Sequence, residues 1–324
     1  MPASTPLPAG PLQGVVPPVC TPLAPDGDID TASLTRLVEH LIAGGVHGLF
    51  ALGSTSEVAY LTDAQRALVL KTVVDATAGR VPVLAGVIDT TTPRVLDHAR
   101  TARDLGADAL VATAPFYTRT HPAEIAGHFR RLRADSGMPL FAYDLPVSVH
   151  SKLSAPLVRE LAEDGTLSGL KDSSGDEGGL RRLIVELGGR EGRRSGPAPG
   201  FSILTGSELT VDAALLAGVD GVVPGIGNVD PAGYVRLYDA ARGGDWHLAA
   251  KEQEILVALF SMVDVGAEAE MSRSSSALGA FKAALYLRGV IDHPFTAFPQ
   301  LPLGEDAVAR VRELVAAAGL EPVR

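Results

Sequence analysis

The chain has few thiols and few lysines, and it has no long apolar run. Its 324 residues include one cysteine, Cys20, and one tryptophan. A single cysteine excludes an intramolecular disulfide framework and fits a reducing cytosol. Cys20 lies in an apolar stretch and reads as a buried small hydrophobe. No apolar run approaches the roughly 18 residues of a membrane span, so a soluble, cytoplasmic protein without a membrane partner is expected. The eight histidines show no H-E-x-x-H, H-x-H or Cys/His spacing, which argues against a dedicated metal site. Neither a G-x-x-x-x-G-K-[ST] nor a G-x-G-x-x-G motif occurs, and the chemistry is expected to need no cofactor. A Ser/His/Asp triad stays open on spacing alone, although no G-x-S-x-G elbow is present. With a net charge of −10 and a pI near 5.3, a nucleic-acid partner is not expected. The arginine pairs, such as Arg130-Arg131 and Arg193-Arg194, are scattered and read as solvated faces or loops.

What is present is the composition of an ordinary globular protein, 46 % hydrophobic and 20 % charged, long enough for one large α/β domain or two smaller ones. Residues 1–13, rich in Pro, Ala and Gly, read as a flexible tail rather than a signal peptide. Eight short apolar runs follow: Gly14–Cys20, Val46–Leu52, Val81–Val87, Ala109–Thr113, Pro139–Tyr143, Leu167–Lys171, Ser202–Thr205 and Gly221–Pro224. Amphipathic stretches lie between them, among them Thr31–Ala43, Asp63–Ala78, Pro93–Leu105, Pro122–Asp135 and Ser207–Ala217. Asp30, Thr62 and Ser207 are candidate N-caps, with Gly44-Gly45, Gly79 and Gly106 as terminators.

Strand–helix alternation implies parallel strands with crossover helices, and nearly continuous apolar strands imply burial on both faces. Eight such units over residues 14–243 match a (β/α)8 TIM barrel better than an open doubly wound sheet. Residues 244–324 read as a C-terminal helical domain, with helices at Trp246–Val265, Ser274–Arg288 and Glu305–Ala318. The Gly/Pro/Arg-rich run Gly188–Gly200 reads as mobile surface that has nothing to build a core.

Barrels carry their active sites at the C-terminal ends of the strands. Strand two ends in Gly53-Ser54-Thr55-Ser56-Glu57, strand five in Tyr143-Asp144-Leu145-Pro146 and strand six in Lys171-Asp172. Only five of the 28 basic residues are lysines, yet one of them, Lys171, sits where a strand pattern ends. Arginine stays protonated at any workable pH, whereas a desolvated lysine can become a neutral amine nucleophile. Lys171 is therefore a candidate for attack on the ketone of a 2-oxo acid, Tyr143 for proton shuttling, and the Ser54 and Thr55 hydroxyls for holding the substrate carboxylate. Each has a plainer alternative. Lys171 could be an ion-pair partner of Asp172 or Glu57, Tyr143 a core aromatic, and the Ser/Thr turn an ordinary cap.

At these residues the chain resembles the dihydrodipicolinate synthase / N-acetylneuraminate lyase family of class I aldolases and lyases. Gly53-Ser54-Thr55-Ser56-Glu57 is similar to its G-x-x-G-E turn, Tyr143-Asp144-Leu145-Pro146 to its Y-N-x-P element and Gly169-Leu170-Lys171-Asp172 to its G-x-K element. The likeness runs from Val15 through Lys282-Ala283-Ala284-Leu285. It implies Lys171 as Schiff-base former, Tyr143 as proton relay, and Ser54 and Thr55 as carboxylate binders. Val223, at the end of the last strand, joins the substrate-binding residues. It implies a homotetramer built as a dimer of dimers, with Tyr117 matching a tyrosine that some members reach into a neighbouring subunit's site.

Three positions depart from the family pattern. Ser56 replaces a glycine, which either strains a position needing positive φ or signals a locally different turn. Asp144 replaces an asparagine. Ser148 stands where members making dihydrodipicolinate commonly carry an arginine for the second carboxylate. The expectation is a Schiff-base lyase, aldolase or dehydratase acting on pyruvate or a related 2-oxo acid, with sugar-acid derivatives as the leading class. A true 4-hydroxy-tetrahydrodipicolinate synthase and a catalytically silent 2-oxo-acid binding protein are the alternatives.

Overall fold

The strands are short because each spans only the height of a ring of parallel neighbours, with helices carrying the chain back to its foot. The computed structural model describes residues 10–267 and 270–323. Its strands are β1 (Gly14–Val15), β2 (Leu49–Ala51), β3 (Val83–Gly86), β4 (Ala109–Thr113), β5 (Leu140–Asp144), β6 (Gly169–Asp172), β7 (Ser202–Thr205) and β8 (Gly221–Val222). All eight pair in parallel, in the order β1-β8-β7-β6-β5-β4-β3-β2. The ring closes through a parallel bridge between Pro18 and Phe50, flanked by Val19 N–H donating to Phe50 O (2.9 Å) and His47 N–H to Val15 O (2.8 Å). The fold is the expected (β/α)8 barrel with C-terminal helices.

Period-two alternation splits the strand residues into two cores. Val16, Phe50, Leu84, Val111, Phe141, Tyr143, Leu204 and Val223 fill the barrel, and a larger apolar cluster lies between the barrel wall and the helices. Leu12, inside the segment read as a tail, is buried in the inner cluster, and its carbonyl accepts the Ser202 hydroxyl at 2.5 Å. Residues 1–9 of that segment lie outside the described residues.

The differences from the sequence pattern have local causes. The first apolar run yields only two ladder residues, because Pro17 and Pro18 have no N–H to donate. Asp30 and Thr62 cap their helices as expected, Thr62 through a capping box with Gln65. Ser207 does not cap. Its helix begins at Val211, and residues 206–210 are drawn onto the rim, where the Glu208 carboxylate accepts from Gly225 N–H (2.8 Å) and Ile226 N–H (2.9 Å).

The largest correction concerns Gly188–Gly200. It contains a helix, Gly189–Ser195, and the Arg193 side chain is wholly buried. Arg193 Nη2 donates to Gly218 O (2.6 Å) and pairs with Asp220 Oδ2 (3.1 Å), tying the segment to the foot of β8. Composition counts an arginine as surface, but a paired guanidinium can be core.

After Gly243 come helices Trp246–Phe260, Arg273–Leu287 and Glu305–Ala317, the first followed by a 3-10 turn at Ser261–Asp264 rather than continuing to Val265. They meet the barrel's C-terminal rim. Gln253 bonds Val211 N–H (2.8 Å) and Glu208 O (2.9 Å), and Arg288 bonds Val229 O. Among the described residues, no helix is long and apolar enough to cross a membrane.

Candidate active site

Adjacent parallel strands in register bring two reactive side chains together. Tyr143 on β5 and Lys171 on β6 are direct register partners, and alternation turns both into the barrel. Beneath them Gly169 faces Phe141, where a Cβ would stand 2.3 Å from the ring, so only glycine lets β6 pass. Lys171 is 6 % exposed, with Nζ 4.1 Å from the Tyr143 ring centroid and 4.9 Å from that of Phe50. The two rings meet edge to face at 6.3 Å, forming an aromatic wall around the ammonium.

The ion-pair alternatives for Lys171 are overturned. Asp172 instead accepts from Ser174 N–H at 2.7 Å, and Glu57 is taken by Lys282. Among the described residues, no carboxylate pairs with Lys171. Its charge acts on Glu208, whose carboxyl is held by Tyr234 Oη at 2.7 Å as well as by the two rim amides. Burial raises the Glu208 pKa, only partly opposed by these hydrogen bonds and by the charge of Lys171.

Burial also pushes the Tyr143 phenol upward. The charge of Lys171 and hydrogen bonds from Ser54, Ser173 and Lys171 outweigh that effect, and its pKa falls below the ordinary tyrosine value. Ser54 thus stands beside the Lys171–Tyr143 pair. Ser173 was not anticipated. The signal for it was period two, which puts residues 171 and 173 on one face. At Gly206 a Cβ would stand 2.1 Å from Ser173 Oγ, so this glycine leaves the hydroxyl its place.

The Ser54–Glu57 turn resolves the question raised by Ser56. Ser56 is not in a left-handed conformation; Glu57 is, at φ +59°. The Ser56 hydroxyl donates to Val19 O (2.5 Å) and accepts from Gly53 N–H (3.2 Å), holding the turn against the first strand segment. Ser56 therefore carries no positive-φ strain, and its hydroxyl braces the turn from inside. Ser54 is exposed at the mouth and Thr55 is half-buried. Val223 lies in the same interior cluster as Tyr143 and Leu204. Tyr117 stands apart, 91 % exposed, with left-handed backbone at φ +76°.

Asp144 has acquired a partner. Its carboxylate, 1 % exposed, pairs with Lys152 and accepts from Leu153 N–H at 3.1 Å. Burial still lifts its pKa above the usual carboxylate value. The short helix that follows, Pro146–Val149, carries Ser148 exposed on the rim. Among the described residues, no group of three or more His, Cys, Asp or Glu side chains is placed to hold a metal ion.

An amine, a phenol and hydroxyls at the C-terminal mouth of a (β/α)8 barrel are the equipment of a lyase. The dihydrodipicolinate synthetase family model matches residues 11–318, and the chain belongs to that family. It is 33 % identical over 309 residues to an uncharacterized DapA-like lyase of Halobacterium salinarum, covering 95 % of each chain. It is 34 % identical to a 4-hydroxy-tetrahydrodipicolinate synthase of Methanoculleus marisnigri, over 72 % of this chain and 77 % of that one. Among solved structures it is similar to a prophage protein of the dihydrodipicolinic acid synthase family from E. coli K12 in complex with pyruvate. That likeness has a TM-score of 0.86 and 28 % identity, and covers 95 % of this chain and 99 % of the other. The dihydrodipicolinate synthase of Bacteroides thetaiotaomicron is similar with the same TM-score of 0.86, 31 % identity and the same coverage.

Proposed function

We propose that this lyase forms a Schiff base between Lys171 and pyruvate or a related 2-oxo acid. The observation that carries the reading is the placement of Lys171 Nζ, inside the barrel mouth and 4.1 Å from the Tyr143 ring, with no carboxylate pairing it among the described residues. A lysine kept only for structure would be expected to hold a counter-ion.

In this mechanism Lys171 first gives up its ammonium proton to solvent; the neutral amine then attacks the ketone carbon, and transfer of an N–H proton to the new alkoxide gives a carbinolamine. Tyr143 delivers the proton that lets the carbinolamine hydroxyl leave as water, and an iminium forms. The iminium withdraws electrons, so a bond to the atom beyond C3 can break or form through an enamine, and hydrolysis then returns the ketone and free Lys171. Ser54 and Thr55, with the amides of their turn, hold the carboxylate, and Val223 walls the substrate from the opposite strand. A hydroxyl-lined rim supports a polyhydroxylated 2-oxo acid as the substrate. Ser207 and Thr210 are joined there at 3.1 Å, and Ser148 occupies the arginine position. Lys152, the lysine of that rim, is held by Asp144 and by Leu153 O, so it is not free for a second carboxylate.

Exposed Tyr117 supports a homo-oligomer in which it enters a neighbouring copy's site, with a tetramer of paired dimers as the reading. The unpaired, buried Cys20 fits a cytoplasmic setting.

Borohydride reduction in the presence of pyruvate, followed by peptide mapping, tests the proposal. An adduct on Lys171 is expected, and none with a panel of 2-oxo acids sinks it. A coupled assay with aspartate semialdehyde then separates the synthase alternative, since fast turnover there would overturn the argument from Ser148.

A further inference from the structure

The turn that carries Ser54 and Thr55 is anchored from outside the barrel. Glu57 ends the turn in left-handed backbone, a conformation that a non-glycine residue keeps only when its surroundings hold it. Its Oε1 accepts from Ala297 N–H at 2.7 Å, and its Oε2 pairs with Lys282 Nζ, neither side chain having any exposed surface. Lys282 sits on the C-terminal helix Arg273–Leu287 and donates also to Phe295 O at 2.7 Å. From the barrel side, Thr21 Oγ1 donates to Ser56 O at 2.8 Å. The C-terminal layer therefore reaches the hydroxyl turn through one fully desolvated carboxylate.

An ion pair is a poor choice if stability were the only need, because desolvating both charges offsets much of their attraction. What a buried pair supplies is direction. Lys282 Nζ is fixed by its bond to Phe295 O, and its charge then draws Glu57 Oε2, and with it the end of the turn, to one place. We propose that Glu57 and Lys282 are positioning residues through which the C-terminal helices set the aim of Ser54 and Thr55 at the substrate carboxylate. This inference rests on the Schiff-base reading above. Neither residue touches the substrate.

The test uses the full chain and the variants Lys282→Met, Glu57→Gln and the double variant, which removes both charges. Each is titrated with pyruvate in borohydride trapping. Amide hydrogen exchange is followed in parallel on the peptides spanning residues 53–57 and β4–β6. The half-saturating pyruvate concentration should rise about tenfold or more, while the limiting trapping rate stays within about threefold, the pattern of lost binding rather than lost chemistry. Exchange at 53–57 should accelerate with protection in β4–β6 retained, a localised change that general destabilisation does not produce. Glu57→Gln keeps the acceptor for Ala297 N–H but leaves the buried Lys282 ammonium facing an amide donor, so it should disturb the turn more than the double variant, which strands neither charge. Should Lys282→Met fail to fold, the double variant and Glu57→Gln decide. A folded variant with unchanged half-saturation and unchanged exchange overturns the inference. If the unaltered chain traps no 2-oxo acid, the Schiff-base reading has failed instead; unchanged exchange at 53–57 would then overturn the anchoring as well.

Discussion

Lys171 and Tyr143 are register partners on adjacent parallel strands, and the lysine Nζ lies over the tyrosine ring. A one-residue slip of either strand would turn one of the two out of the barrel. Tyr143→Phe keeps the ring and removes the relay. The limiting rate of adduct formation on Lys171 should fall by roughly a hundredfold, with the half-saturating 2-oxo acid concentration little changed. Because the phenol titrates below its ordinary value, wild-type adduct formation should bend on its alkaline side below the usual tyrosine range, and the bend should vanish in the variant. Stopped-flow trapping against pH measures both.

Lys152 and Asp144 form the second test. Lys152→Met strands a carboxylate that is 1 % exposed, and should cost about 1–3 kcal/mol, less than a wholly buried pair because Lys152 is partly solvated. Adding Asp144→Asn should recover most of that loss. Denaturant unfolding of the single and double variants gives the comparison, and a harmless single variant would deny the pair any structural role.

His128 and His40 each make the folded chain sensitive to acid. Burial lowers each to a pKa of about 4 from 6.5, with the charge of Arg288 adding to the effect at His40. Between these values the unfolded chain binds more protons than the folded one, so stability falls as pH drops from 6.5 toward 4 and is fully present above 6.5. Each histidine contributes a slope of at most about 1.4 kcal/mol per pH unit. Replacing His128 with Gln should flatten the curve over this window in chemical denaturation.

Cys20 should be inert in the folded protein. Burial pushes its thiol up to about 12, against a lowering from Lys282, so little thiolate exists at neutral pH. Labelling by a thiol reagent should track global unfolding. Fast labelling under native conditions would show that the neighbourhood of Glu57 and Lys282 opens locally.

Tyr117 should act between copies of the chain. Lys171→Ala and Tyr117→Ala variants, each impaired alone, should recover about a quarter of wild-type activity when mixed and reassembled, because some sites then receive both intact residues. No recovery would place Tyr117 outside the site.

The barrel itself was legible in the sequence. Its alternation of apolar runs and amphipathic stretches depends on local period and capping, and Asp30 and Thr62 cap as their residue types demand. The positions of Tyr143 and Lys171 on neighbouring strands were legible too, since the end of a barrel strand is a position that a linear pattern can mark. Ser173, Phe50, Glu208 and Arg193 were not. The roles of these four depend on partners remote in sequence, such as Asp220 for Arg193 and the Gly225–Ile226 amides for Glu208.

Ser56 and Glu57 show most clearly what tertiary structure alone decided. A serine in place of glycine signalled either strain or a different turn, and local chemistry could not choose between them. In the folded chain Ser56 stays out of the left-handed region with its hydroxyl on the Val19 carbonyl, and Glu57 adopts that region with its carboxylate paired to Lys282. The sequence by itself put Tyr143 and Lys171 at the ends of successive strands, because strand period is a local property. Only the folded chain decided how they are aimed, because buried carbonyls and charges must find partners wherever the fold brings them.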